Sequence, residues 1–169
     1  NTPPAIADLD GDGSYEVLLL ASVQNAAQDN REQGVALWVV GHDASRHADW
    51  PMPVHRPDYL SGLWDLGDNI VAATNQVTVA DIDAGSPGPE LIFAGFDGRV
   101  HAVDAAGQQL WDTSYTTDAS VLTAGVAVAD LSGDGVPEVI FNSYSTDEGG
   151  GALFILDAAG AVIHQLPLP

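Results

Sequence analysis

The chain has 169 residues, 46% of them hydrophobic, which is enough apolar material for a packed core and sets it apart from a disordered segment. Against 24 Asp and Glu stand four Arg and no Lys, and the formal net charge of −20 repels nucleic acid and anionic membrane surfaces while attracting cations. There is no cysteine, so disulfides and thiolate metal sites are excluded, and no apolar run reaches the ~18 residues of a membrane helix.

The chain opens at Asn1-Thr2-Pro3-Pro4 and closes at Leu166-Pro167-Leu168-Pro169, with neither an initiator Met nor a signal peptide. It reads as a piece of something longer or a processed product. The first patterned stretch, PPAIADLDGDGSYEVLLL, runs from Pro3 to Leu20. A short apolar run meets Ala-Asp, then a Gly-rich acidic loop, a Glu and a second apolar run. GVALWVVGHDAS follows from Gly34, an apolar strand ending in a turn.

Next comes an insert, about residues 55–75, with Pro51 and Pro53 just before it and Pro57 within it, whose Ser61-Gly62-Leu63-Trp64-Asp65-Leu66-Gly67-Asp68 fits a long loop or a degenerate strand pair. The first layout then returns twice: QVTVADIDAGSPGPELIFA from Gln76 and GVAVADLSGDGVPEVIFN from Gly125. The second element returns as GRVHAVDAAGQQLW from Gly98 and GALFILDAAGAVIH from Gly151, each centred on an Asp-Ala-Ala-Gly turn.

Each unit therefore predicts four short strands joined by hairpins. Val77 and Val79 alternate with polar neighbours, as do Val126 and Val128 with small ones, the period of a strand. Leu37-Trp38-Val39-Val40 and Leu153-Phe154-Ile155-Leu156 are apolar on both faces, so both faces of their sheets must be covered. No long amphipathic helix is visible. Blades stacked round a propeller axis satisfy these demands, and Asp81 lies 49 residues before Asp130, a blade-like period. The expected fold is all-β, about three four-stranded antiparallel β-propeller blades belonging to a larger propeller. Blade 1 covers about 3–54, an insert about 55–75, blade 2 about 76–116 and blade 3 about 122–169.

The acidic loops carry the chemistry. In the first, Asp8, Asp10, Asp12 and Glu16 occupy positions 1, 3, 5 and 9, Gly13 permits a sharp turn, and Ser14 at position 7 offers a backbone carbonyl. Calcium takes six to eight hard oxygens in flexible geometry, and this loop supplies them. An EF-hand would need a bidentate Glu at position 12 and flanking helices, whereas Val17-Leu18-Leu19-Leu20 reads as a strand. The third loop keeps Asp130, Asp134 and Glu138, with Ser132 at position 3 and Val136 at position 7, and should bind more weakly. The second keeps Asp81, Asp83 and Glu90, but Gly85 stands at position 5 and Pro87 and Pro89 stiffen it, so strong binding is not expected there. Asp-Gly runs also make turns without any metal.

On Asp8, Asp10, Asp12, Gly13 and Glu16, and on Asp130, Asp134, Gly135 and Glu138, the chain resembles the FG-GAP/VCBS repeats also found in integrin α-chain propellers. The resemblance runs from Pro3 to about Leu166. It implies a propeller, often seven-bladed, with Ca2+ in the hairpin between the first two strands of a blade. It also implies extracellular work: adhesion, ligand binding, or a scaffold beside a catalytic domain. The second loop and the insert depart from the pattern.

Other constellations are weaker. His42, His47, His55, His101 and His164 form no pair spaced as in zinc enzymes; His42 and His47, near Asp43 and Asp49, read best as a polar turn. There is no Gly-x-Ser-x-Gly elbow and no phosphate-binding loop, so no catalytic residue is named. Trp38 and Trp111 read as packing residues and Trp64 as the best exposed aromatic. The connections from Val23 to Gln33, Gly95 to Gly98 and Ser145 to Gly150 vary most, and such loops on a rigid scaffold are where a ligand would bind. The expected function is a secreted, bacterial surface or extracellular module. It binds a protein or glycan, or packs against the remaining blades of its parent, and Ca2+ is structural. Nucleic-acid binding and membrane insertion are not expected. The rivals are a propeller enzyme of lyase or hydrolase type, its site on the variable-loop face near His55, Asp58 and Asp65, and an architectural subunit of a surface assembly.

Overall fold

The computed structural model describes residues 3–22, 35–45, 52–53, 65–66, 69–70, 76–95, 98–118, 121–123, 125–145 and 149–169, with backbone alone at 21–22, 35–36, 52–53, 65–66 and 69–70. The chain is all-β: no helix occurs among the described residues, and every strand pair in them is antiparallel.

The first sheet has the order β1 (Ala5–Ala7), β2 (Glu16–Ser22), β3 (Val35–Val40), β4 (Met52–Pro53). A small pair follows, β5 (Asp65–Leu66) with β6 (Asn69–Ile70), so the insert contains a short strand pair. The second sheet is β7 (Thr78–Ala80), β8 (Glu90–Ala94), β9 (Arg99–Val103), β10 (Gln109–Ser114). The third runs β12 (Ala127–Ala129), β13 (Glu138–Ser145), β14 (Gly151–Leu156), β15 (Val162–Leu168). Its fifth strand, β11 (Val121–Thr123), pairs with the far end of β13, where the Thr123 hydroxyl donates to the Asn142 carbonyl at 2.7 Å.

The registers of the three sheets coincide. Val17↔Val40 and Leu19↔Trp38 in the first match Leu91↔Val103 and Phe93↔His101 in the second and Val139↔Leu156 and Phe141↔Phe154 in the third. Proline falls only at outer strands, Pro53 in β4 and Pro167 in β15, where a missing N–H breaks no ladder.

Two cores lie between successive sheets. Leu18, Leu20, Leu37 and Val39 of the first sheet pack against Leu91, Phe93 and Val103 of the second. Ile92, Ala94, Val100 and Ala102, on the opposite face of the second, pack against Val139, Phe141, Phe154 and Leu156 of the third. This is why Leu91-Ile92-Phe93-Ala94 is buried throughout while β14 alternates between buried and half-buried residues. Rings at the second contact are stacked, Phe141 on Phe154 at 4.9 Å, with Tyr115 edge-on to both.

Polar clips join the sheets at their rims. Trp111 Nε1 on β10 donates to the Ala158 carbonyl at 2.9 Å, and the Thr113 hydroxyl donates to the Gly160 carbonyl. Both acceptors lie in the Asp157–Gly160 turn of the third sheet. At the inner strands, the Thr78 hydroxyl donates to the Val126 carbonyl, and β7 lies beside both β1 and β12.

Candidate metal-binding hairpin loops

The connections β1–β2 and β12–β13 fold alike because their residues make the same local bonds. Asp8 closes the first loop on itself: Oδ1 accepts from Gly11 N at 2.8 Å and Oδ2 from Gly13 N at 3.0 Å. Asp130 does the same with Gly133 N at 2.6 Å and Gly135 N at 2.9 Å. Further along each loop, Asp12 Oδ1 accepts from Ser14 N at 2.6 Å and Asp134 Oδ1 from Val136 N at 2.9 Å. Gly13 and Gly135 sit at φ of 88° and 89°, a conformation that other residues strain to adopt. The amides of Gly135 and Gly133 hold the Asp130 carboxyl below its ordinary pKa, and the Ser132 hydroxyl adds to the effect.

The glutamate at the end of each loop is buried beneath it. Glu16 Oε2 accepts from Leu9 N at 2.9 Å, Glu90 Oε2 from Ile82 N at 2.7 Å, and Glu138 Oε2 from Leu131 N at 2.7 Å. The strand registers explain this, since Ala7↔Glu16, Ala80↔Glu90 and Ala129↔Glu138 place each Glu across the neck of its hairpin. The residue expected from sequence as the last ligand of the loop thus has a structural bond of its own. Spacing cannot reveal that; a signal lies in the second copy, which keeps the Glu although Gly85 replaces the acid at position 5.

In the first loop Asp8, Asp10 and Glu16 each present a carboxylate oxygen, and the three oxygens lie within 4.8 Å of one another. Two oxygens on one Ca2+ at ~2.3–2.6 Å can be no more than about 5 Å apart, so this trio fits a shared ion of that size. Asp12 stands outside the trio. Asp10 is exposed, and its Oδ1 takes only a long bond from Asp12 N, 3.2 Å. Among the described residues no second trio of His, Asp or Glu lies this close, so Asp130, Asp134 and Glu138 are not gathered, nor are Asp81, Asp83 and Glu90. In the second loop Asp83 Oδ1 accepts from Gly85 N at 2.9 Å, and Glu90, fully buried, also accepts from Asp83 N at 3.2 Å. Its other oxygen, Oε1, has no hydrogen-bond partner.

The remaining candidates fall elsewhere. His42 and Asp43 are exposed in a turn closed by Gly41 N to Ser45 O and Ala44 N to Gly41 O, both 2.9 Å. The same bonds close Asp104–Gln108 and Asp157–Ala161, so the first copy keeps the turn with Ala44, at φ 65°, where the others have glycine. His101 is buried and stacked on Phe93 at 5.3 Å; His164 is exposed on β15. Trp38 and Trp111 are half-buried. A groove of about 400 Å3 beside Trp111 is lined by Ile82, Asp83, Leu110, Ala158 and Ala159. His47, Asp49, His55, Asp58, Trp64 and most of the variable loops lie outside the described residues, as does the side chain of Asp65.

No family model and no curated protein matches the chain. One solved structure is similar to it, the biofilm matrix protein Bap1 of V. cholerae, over 96% of this chain and 28% of that one, at 19% identity and a TM-score of 0.41. The chain therefore spans little more than a quarter of that protein's length. A likeness at this level carries no argument about fold or function. No helix among the described residues is long and apolar enough to cross a membrane.

Proposed function

We propose that the chain is a segment of a calcium-stabilised β-propeller of the FG-GAP/VCBS kind, serving outside the cell as a binding or scaffold module for a protein or glycan. The observation that carries the reading is the Asp8–Asp10–Glu16 trio in the first hairpin loop. Its setting supports it: three antiparallel sheets stacked face to face, with β7 beside both β1 and β12, are what adjacent blades require. Bound Ca2+ would supply positive charge among crowded carboxylates and so hold the hairpin closed. Asp8, Asp10 and Glu16 would hold it, with Asp12 and the Ser14 carbonyl as further oxygens of the loop. In the third loop, Asp130, Asp134 and Glu138, with Ser132 and the Val136 carbonyl, make a weaker site.

The test is calorimetric titration with Ca2+, together with thermal unfolding in Ca2+ and in chelator. Asp10→Ala is the informative variant, because Asp10 does least for the loop's own bonds. Binding only to the folded chain adds about 2.7 kcal/mol at a hundredfold excess over Kd. The expected result is a Ca2+-dependent rise in melting temperature that Asp10→Ala removes. Identical melting with and without Ca2+ in the unsubstituted chain would make the loops turn chemistry alone.

A further inference from the structure

The two contacts between sheets differ at their loop ends. The second hairpin loop has one more residue between Asp81 and Glu90 than the first has between Asp8 and Glu16. It brings Gly88 close against its neighbours: a Cβ there would lie 2.8 Å from the Leu9 carbonyl oxygen and 3.4 Å from Ala105 Cβ. At the next contact Ile82 takes the place of Leu9, each following the loop's leading Asp, and Ala158 that of Ala105 in the Asp-Ala-Ala-Gly turn. The third loop has the shorter spacing, Asp130 to Glu138, and Cβ atoms at its Gly133 and Gly135 would meet nothing within 4 Å. The gap that Gly88 closes at the first contact stays open at the second, as the groove of about 400 Å3 beside Trp111. Both walls belong to a contact made within the chain, not to an end of the stack.

Five of the residues lining this groove are apolar: Ile82, Leu110, Trp111, Ala158 and Ala159. The bond from Trp111 Nε1 to the Ala158 carbonyl fixes the indole before any ligand arrives. The one charged lining residue is Asp83, which is exposed. Its Oδ1 accepts from Gly85 N at 2.9 Å, and its Oδ2 accepts from no described residue. Behind it the fully buried Glu90 holds Ile82 N and Asp83 N through Oε2 and leaves Oε1 without a partner. An apolar trough with a carboxylate at its edge matches a side chain with an apolar stem and a cationic head.

We infer that the groove seats an arginine side chain of a basic polypeptide, its stem along Leu110, Trp111 and the two alanines and its guanidinium on the Asp83 carboxylate. Guanidinium is more weakly hydrated than ammonium, hydrogen-bonds carboxylates and stacks on aromatic rings. The net charge of −20 draws a basic partner and repels an acidic one. The inference rests on the reading of the chain as a binding module and names a partner chemistry for it. It does not rest on calcium, since no member of the Asp8–Asp10–Glu16 trio borders the groove.

Two-dimensional amide NMR of the chain, titrated with blocked Gly-Gly-Arg-Gly-Gly in Ca2+ and in chelator, tests it. The Trp111 indole N–H and the amides of Asp83, Ala158 and Ala159 should shift saturably, with a Kd of about 1 mM. Citrulline in place of arginine keeps the shape without the charge and should bind about fivefold more weakly. Asp83→Asn, which keeps an oxygen for Gly85 N, should cost about the same. Ala159→Leu, at an exposed turn position, fills the trough and should weaken binding about tenfold; melting temperatures check that both variants fold. The absence of a saturable shift at these residues overturns the proposal. Shifts spread evenly over the loops of Asp8 and Asp130, which mean diffuse attraction to an acidic surface, overturn it too, as does undiminished binding by citrulline or by either variant. Tighter binding of agmatine than of the peptide makes a free small cation the occupant, and a neutral disaccharide moving the same amides makes this a sugar site; either result overturns it. The Ca2+-dependent rise in melting temperature, read on the same samples, reports on the calcium-stabilised module separately from all these outcomes.

Discussion

Glu90→Ala removes the acceptor that holds the neck of the second hairpin. Glu90 is fully buried and accepts from Ile82 N at 2.7 Å and Asp83 N at 3.2 Å. Each buried amide left without a partner costs about 1–3 kcal/mol, and the truncated side chain leaves a small cavity. Against this, the wild type holds a buried carboxylate whose Oε1 is unpartnered, and removing that group returns part of its desolvation cost. The net expectation is a loss of about 3 kcal/mol. For a chain of this size the urea slope is about 2 kcal/mol per molar, so the midpoint should fall by about 1.5 M. Glu90→Gln keeps an oxygen for Ile82 N and should fall by less than half as much. The assay is equilibrium urea unfolding in chelator, followed by tryptophan emission. A midpoint within about 0.3 M of the unsubstituted chain would refute the view that the glutamates bracket the hairpins.

Three further expectations concern the turns and an ion pair. Gly160→Ala places a Cβ 2.6 Å from Trp111 Cδ2 at a backbone φ of 82°, so strain and overlap together should lower stability by about 2–4 kcal/mol in urea unfolding. Ala44→Gly relieves a φ of 65° at the position where Gly107 and Gly160 sit at 82° and should raise the melting temperature; a fall would place the strain elsewhere. Asp112 is held below its ordinary pKa of 3.8, chiefly by the hydrogen bond from Arg99. Folded Asp112 resists protonation, so its contribution is complete above 3.8 and lost as pH falls through the lower folded value. The stability gap between wild type and Asp112→Asn should therefore be full at neutral pH and close below 3.8; a gap that persists in acid would mean that packing, not charge, accounts for it.

Much of this architecture is legible in the sequence because it is written more than once. The strands of each hairpin follow from apolar runs on either side of Asp8, Asp81 and Asp130, and the turns from Asp104–Gly107 and Asp157–Gly160. The turn at Gly41–Ser45 is obscured because Ala44 takes the place of glycine, although the hydrogen bonds are unchanged. β11 is hidden by its length, three residues that gain meaning only against the far end of β13. The double role open to the loop glutamates is hidden for a different reason. A carboxylate at position 9 can face an ion or the hairpin neck, and only the register that sets Glu16 opposite Ala7 shows its bond to Leu9 N. Trp111 packs against the second core as a strand tryptophan should, and its indole hydrogen bond also crosses to a neighbouring sheet, a pairing 47 residues away that no local pattern encodes.

Among the described residues the second sheet is enclosed by a sheet on both faces and its neighbours by a sheet on one, and this sets an order in time as well as in space. In a stack held by nearest-neighbour contacts, opening begins at the ends. Backbone amides of β8, between Leu91 and Ala94, are expected to exchange with solvent only after one flanking sheet has departed, whereas those of β15, an outer strand exposed along its whole length, need only a local opening of its pairing with β14. The lifetime of the folded chain is then governed by its two outer faces, and a partner seated on either one would lengthen it without touching the interior.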